Sequence, residues 1–263
     1  MKFLFVGDVV ARPGRRALFD NLNDLRDQHA LDVVIVNVEN AAGGFGVTEE
    51  LVDEFLDHEI DVLSTGNHIW DKREALEFIQ RFPRLLRPAN YPAGTPGAGH
   101  VIHKTATGVR VAVINLMGMV FMHPVLDCPF AEADRILKSL EDQCDCIVVD
   151  FHAEASSEKV AMGWHLDGRV SAVLGSHTHV PTADERILPG GTAFISDVGM
   201  TGCYESVIGM NIESSLKRFV DKTPQRLETA RGKGTLCGAV VEIDDRSGRG
   251  VSIERVSVRQ KDG

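Results

Sequence analysis

Short apolar runs alternate along the chain with segments whose hydrophobic residues recur at helical spacing. Phe3 to Val6 is an apolar run that stops at Gly7-Asp8 and reads as a strand. Leu18, Leu22 and Leu25 follow with charges between them, which places a helix after it. Val33 to Val38 is a second buried strand, closed by Glu39-Asn40 and a glycine-rich turn. Thr48 starts an amphipathic helix that Leu51, Val52, Phe55 and Leu56 fill. Asp61 to Ser64 is a third strand and runs into Gly66-Asn67-His68. This βαβαβ order predicts parallel pairing in an α/β fold.

The stretch from Pro83 to Gly99 is rich in proline and glycine and is expected to be a loop, because strand patterns resume at once. Val101 to Lys104 and Val109 to Leu116 suggest a hairpin leading into a core strand. Ala131 to Leu140 is a helix, and Cys146 to Asp150 is a strand that delivers Phe151-His152. Val170 to Leu174 delivers Gly175-Ser176-His177-Thr178-His179. The last third shows strands at Thr192 to Ser196, Ala239 to Ile243 and Val251 to Val258, with a helix near Ile212 to Val220. No repeat or low-complexity segment interrupts this order, so a single domain over residues 1–263 is expected.

Composition narrows the function classes. Hydrophobic residues make up 43% and charged residues 25%, as in ordinary globular proteins. The formal net charge of −10 disfavours duplex DNA, since such a surface repels polyanions unless a basic patch or metal ions offset it. A small phosphorylated substrate stays open. The five cysteines show no CxxC spacing, which argues against a disulfide framework or a zinc ribbon; they read as small buried or half-buried thiols. The start MKFLFVGD reads as a first strand and not as a signal peptide. No apolar stretch approaches the roughly 20 residues that span a bilayer. A cytoplasmic chain with no membrane partner is expected, and a homo-oligomer stays open.

The candidate chemistry lies at strand ends. Asp8, Glu39, Asn40, Asn67, His152, His177 and His179 each fall just past an apolar run, at the edge where open α/β sheets bind ligands. Asp8 alone could be a turn cap, and His152 alone a structural histidine. Glu39 ending an apolar strand is harder to dismiss, because a buried carboxylate without a partner is costly. A carboxylate can also bridge two cations. His177-Thr178-His179 is the strongest local signal, since two imidazoles one residue apart can point at adjacent metals. Oxygen and nitrogen donors without cysteine suggest iron or manganese, with zinc as a third choice. Three imidazoles disfavour calcium, and magnesium for the same reason.

The series Gly7-Asp8, Glu39-Asn40, Gly66-Asn67-His68, His152 and Gly175-x-His177-x-His179 resembles the calcineurin-like metallophosphoesterase superfamily. The stretches GDVVARPGR, NVENAAGGFGVT, GNHIWD, FHAEASSEK and LDGRVSAVLGSHTHVPTADERILPGGTAFISDVGMTG are similar to its YmdB-type bacterial branch. The wider superfamily opens with Asp-x-His, where this chain has Val10, and bridges with an aspartate, where this chain has Glu39. The resemblance implies a four-layer α-β-β-α sandwich with two mixed sheets. It assigns Asp8, Asn40 and His179 to a first metal and Asn67, His152 and His177 to a second, with Glu39 bridging. It also implies phosphodiesterase activity on cyclic nucleotides, including 2′,3′-cyclic ones.

Two cations about 4 Å apart can polarise a phosphoryl oxygen and turn a bridging water into a hydroxide nucleophile. The leaving alkoxide then needs a proton. His68 is the candidate general acid; its alternative role is to orient Asn67 or the substrate. Asp71, Asp184 and Glu185 read equally as partners of ligand imidazoles or as caps and surface charges, and stay outside the expected site. Arg12 and Arg15 either meet substrate phosphate or open a solvated helix. Two competing readings keep the same metal core: a phosphomonoesterase or protein phosphatase, and a regulator that binds metal and nucleotide without turnover.

Overall fold

Strand alternation decides how the layers stack. In β1 (Lys2–Val6), Phe3 and Phe5 point to one side and Leu4 and Val6 to the other, and all four are fully buried. A strand buried on both faces needs a layer on each side of its sheet. The protein, seen here as a computed structural model that describes residues 1–261, supplies both.

One sheet has five strands in the order β11 (Gly250–Arg259), β10 (Thr235–Ile243), β1, β2 (Val33–Asn37) and β3 (Val62–Ser64). The β1–β2–β3 part is parallel, as the βαβαβ pattern predicts, while β10 pairs antiparallel with β1 and with β11. The other sheet has six strands: β4 (His100–Lys104), β5 (Arg110–Met117), β6 (Cys146–His152), β7 (Ala172–Ser176), β9 (Ala193–Ile195) and β8 (Arg186–Ile187). Its middle is parallel, and the edge strands β4 and β8 are antiparallel. The β4–β5 hairpin lies where it was expected.

Three apolar clusters separate the layers. Phe3, Phe5 and Ile35 of the first sheet meet Val113, Val148 and Leu174 of the second, between the sheets. Outside the first sheet, Leu4, Val34 and Val36 pack on Leu18 and Leu22 of α1 (Ala11–His29) and Phe55 of α2 (Glu49–Asp57). Outside the second, Ile114, Val149 and Val173 pack on Ile136 of α4 (Pro129–Ser139) and on Met162 and Leu166 of α5 (Ser156–Leu166). The result is the α-β-β-α sandwich. Thr48 caps α2, its side chain accepting from Leu51 N–H at 3.4 Å.

Four differences from the sequence reading have physical causes. α5 has no apolar stripe because its buried face includes Glu158 and Lys159, so periodicity missed it. The short α3 (Ala75–Phe78) and the two-residue β8 are too brief to show a period. The Pro83–Gly99 stretch is a loop as expected, but it is held by a residue that pattern reading did not single out: the Arg87 guanidinium donates to the carbonyls of Pro88, Ala89, Thr95 and Pro96. Cys128, at the start of α4, is exposed, whereas the other four cysteines are buried or half-buried as expected. The helix near residue 212 is α6 (Ile212–Asp221). Among the described residues, no helix is long and apolar enough to cross a membrane.

Candidate metal centre

The C-terminal edges of β1, β2 and β3 face those of β6 and β7 across the inter-sheet layer. Asp8 follows β1, Glu39 and Asn40 follow β2, and Asn67 follows β3. His152 is the last residue of β6, and His177 and His179 lie just beyond β7. Each side chain is therefore carried by a strand end that the core holds rigid. Buried polar bonds tie the two edges together: Asn37 Nδ2 and Ser64 Oγ of the first sheet donate to Asp150 Oδ2 of the second, at 3.1 and 2.5 Å.

His152 is the centre of the cluster and is fully buried. Its Nε2 lies 3.0 Å from Glu39 Oε1, 3.0 Å from Asn67 Oδ1 and 3.1 Å from His177 Nδ1. Glu39, His152 and His177 offer donor atoms that all lie within 4.8 Å of one another. Lone pairs outnumber the protons available to separate them, and a cation relieves that crowding. Gly66 makes the approach feasible, because a Cβ there would overlap the His152 imidazole.

The other expected ligands flank this cluster. Asp8 Oδ2 accepts the His177 N–H at 3.0 Å, and its Oδ1 stands 3.6 Å from His152 Nδ1. Asn40 Nδ2 donates to Gly44 O at 2.9 Å, which leaves its Oδ1 as an acceptor. Asp8 Oδ1 and Asn40 Oδ1 are both buried without a hydrogen-bond partner among the described residues. Orphaned buried oxygens are costly and rare. His179 Nδ1 meets the Ile208 carbonyl at 2.9 Å; the carbonyl can only accept, so Nε2 is the bare nitrogen. Imidazoles, carboxylates and amide oxygens, with unfilled acceptors among them, fit a first-row transition metal. All seven expected residues thus lie at one edge, and the second-metal set, with Glu39, is gathered most tightly.

The residues that hold this set were not in the sequence reading. Ser176 Oγ donates to Asp150 Oδ1 at 2.6 Å, so it accepts the proton of His152 Nδ1 at 2.9 Å. That orients the ring with Nε2 toward Glu39. His177 and His179 both have positive φ, 101° and 64°, an uncommon state for a residue with a side chain. Asp197 pins the loop between them, accepting Thr178 N–H at 3.0 Å and the buried Lys159 amine at 2.6 Å. Asp71, left aside on sequence grounds, lies 2.7 Å from His68 Nδ1. Glu154 Oε2 lies 3.1 Å from His177 Nε2. Asp150 had a legible signal, a carboxylate within an apolar run; Lys159 and Asp197 had none.

Without a cation the cluster is electrostatically divided. Burial raises the Asp8 pKa, and the neighbouring histidines only partly offset it. Burial also pushes Glu39 up, but the charge and hydrogen bond of His152 outweigh it and hold the carboxyl well below its usual range. His152 is pushed down by burial and up, more strongly, by Glu39, Asp8 and Asp150, to about 9. Burial and the nearby His152 press His177 down to about 3, so it is neutral. Burial raises Asp150 to about 6.

The site opens into a cavity of about 280 Å³ lined by Glu39, Asn40, His68, His177 and His179, with Phe45, Ile208, Met210 and Leu227 on its apolar side. The Phe45 ring stands edge-on to His68 at 5.1 Å.

Two facing mixed sheets with this donor set on their adjoining edges define a metallophosphoesterase-type hydrolase of phosphoric esters. A profile of the YmdB-like protein family matches residues 4–256. A Bacillus subtilis protein named 2′,3′-cyclic-nucleotide 2′-phosphodiesterase is 48% identical over 98% of this chain and 97% of its own length. A crystal structure of a novel phosphatase from Mycoplasma pneumoniae superposes with a TM-score of 0.93 at 32% identity, covering 100% of this chain and 94% of that one. A Thermus thermophilus protein of hypothetical function gives 0.92 at 42% identity, covering 99% and 100%. The chain belongs to the YmdB-like family.

Proposed function

We propose that the chain is a dinuclear metal-dependent phosphodiesterase that opens 2′,3′-cyclic nucleotides at the 2′ bond, leaving the 3′-phosphate. The observation that carries this reading is the convergence of Glu39, Asn67 and His177 on His152 Nε2 at 3.0 to 3.1 Å, with orphaned oxygens on Asp8 and Asn40 beside it. The relative that shares 48% identity carries the matching name. Asn67, His152 and His177 would hold one ion, Asp8, Asn40 and His179 the other, and Glu39 would touch both. Bound there, transition-metal ions would supply Lewis-acid charge and an activated water at phosphorus.

The chain's own residues do the rest. In the hydrolysis, water oxygen joins phosphorus, the P–O2′ bond breaks, and O2′ takes up a proton. His68 is placed to give that proton from Nε2. Its Nδ1 is held by Asp71 at 2.7 Å, its backbone N–H is fixed on Glu39 Oε2 at 3.0 Å, and its ring lines the cavity. Phe45 and Met210 offer an apolar wall to a base or ribose. Elemental analysis with turnover of adenosine 2′,3′-cyclic phosphate and p-nitrophenyl phosphate, on one chelator-free sample, tests the reading. Close to two transition ions per chain and a clear preference for the cyclic diester are expected. A metal-poor chain, or a preference for the monoester, would oppose it.

A further inference from the structure

Beside the metal cavity lies a second depression. A cleft of about 580 Å³ is lined by Arg12, Arg15 and Arg16 of α1, by Gly43, and by residues 229–232, which include Arg231. The same two chain segments wall both depressions. The turn after β2 contributes Asn40 and Phe45 to the cavity and Gly43 to the cleft. Opposite it, Leu227 lines the cavity and Thr229 and Arg231 line the cleft. A Cβ on Gly44 would meet Thr229 at 2.6 Å, so the segments touch and form the ridge between the two. Two residues of chain span at most about 7 Å, so the depressions open side by side.

The charge in the cleft is unbalanced. Arg12, Arg16 and Arg231 are exposed, and among the described residues no hydrogen bond or ion pair engages their guanidinium groups. Arg15 is already committed to the Ala41 carbonyl at 2.7 Å and to Glu54 at 3.2 Å. The first turn of α1 carries no carboxylate to neutralise them. In a chain of net charge −10, acidic side chains were available to pair with three such groups, yet none does. Guanidinium groups left free around one cleft suit a phosphate.

We infer that this cleft is a second phosphate subsite and that the preferred substrate is a single-stranded oligoribonucleotide with a 2′,3′-cyclic phosphate end. The cyclic phosphate occupies the metal centre, and a backbone phosphate on its 5′ side lies against Arg12, Arg16 and Arg231. This rests on the reading of the metal site as a cyclic phosphodiesterase. A cyclic mononucleotide spends its one phosphate at the metals and leaves the cleft empty. A longer strand carries the next phosphate in covalent register. Such ends arise when an RNA strand is cut by attack of its own 2′-hydroxyl, so the enzyme acts after that class of cleavage.

The test compares adenosine 2′,3′-cyclic phosphate with a triribonucleotide ending in the same group, using the full manganese-loaded chain. The trinucleotide KM should be lower by about tenfold, as for a charge-assisted contact. Arg16→Glu combined with Arg231→Glu should remove that advantage while leaving mononucleotide kcat/KM within about twofold. Binding of a 3′-phosphorylated trinucleotide provides a reading without turnover: log affinity should fall with log salt by about 0.7 per phosphate contact, less steeply in the variant. Equal KM values for the two substrates, or equal loss on both in the variant, would overturn the subsite while leaving the phosphodiesterase reading intact. Turnover of neither substrate by the loaded protein would instead sink that underlying reading, and trinucleotide binding unchanged by the charge reversal would then sink the subsite as well.

Discussion

The Lys159 amine lies 2.6 Å from Asp197 Oδ2, both fully buried, and the same carboxylate oxygen accepts the N–H of Thr178 between the two loop histidines. Lys159 also donates to the Ser176 carbonyl at 2.8 Å. The pair thus holds a loop whose histidines have positive φ in the geometry that presents both imidazoles. Lys159→Met leaves Asp197 buried and unpaired, which typically costs about 3–5 kcal/mol. Thermal unfolding should shift down by roughly 10 °C. The added stabilisation that manganese confers should shrink as well, because the loop is no longer preorganised. An unchanged metal-induced shift would show that the loop holds its shape without the pair.

Metal uptake should release protons. His152 titrates at about 9 in the cation-free protein, above its ordinary 6.5, so at pH 7 it carries a proton on both nitrogens. A ligand nitrogen must be bare, so loading should expel about one proton per chain from this residue. Apparent affinity should rise about tenfold per pH unit up to pH 9 and then level off. The sign for stability follows the raised pKa. The contribution of His152 to the cation-free fold is fully present below pH 6.5 and is lost as pH rises through about 9. Calorimetry of manganese binding in buffers of differing ionisation heat measures the release directly, and no net release at pH 7 would count against a protonated His152.

What the sequence made legible follows from which features are local. Strand-end placement of Asp8, Glu39, Asn67, His152 and His177 could be read because apolar runs are short and end abruptly at polar residues. The parallel β1–β2–β3 core could be read for the same reason. The supports could not. Lys159 and Asp197 are distant in sequence and meet only when α5 packs on the second sheet, and a lysine in a helix otherwise reads as solvated. Asp71 stands three residues from His68, a helical-turn spacing that equally suits a surface charge.

His68→Ala should spare metal content and lower turnover of a 2′,3′-cyclic nucleotide by roughly 10²–10⁴-fold, the usual scale of general acid assistance. Bis-p-nitrophenyl phosphate, whose leaving group needs little protonation, should lose far less. Asp71→Asn keeps the shape of the contact but weakens the hold on Nδ1, so it should cause a smaller loss with the same substrate bias. Equal losses on both substrates would assign His68 to positioning.

Glu39→Gln preserves shape and removes the charge that offsets the repulsion between two ions. It should nearly abolish hydrolysis and weaken at least one metal. Asn40→Ala removes a neutral donor from one ion and should deplete that site alone, leaving about one ion per chain by elemental analysis. If Asn40→Ala empties both sites while Glu39→Gln stays loaded and active, the roles given to these neighbours are wrong.

Anomalous diffraction from crystals grown with manganese tests the central claim most directly. Two peaks per chain should flank the Glu39 carboxylate, about 4 Å apart. One should lie against Asn67, His152 and His177, the other against Asp8, Asn40 and His179. A single peak, or peaks away from Glu39, would contradict the dinuclear centre.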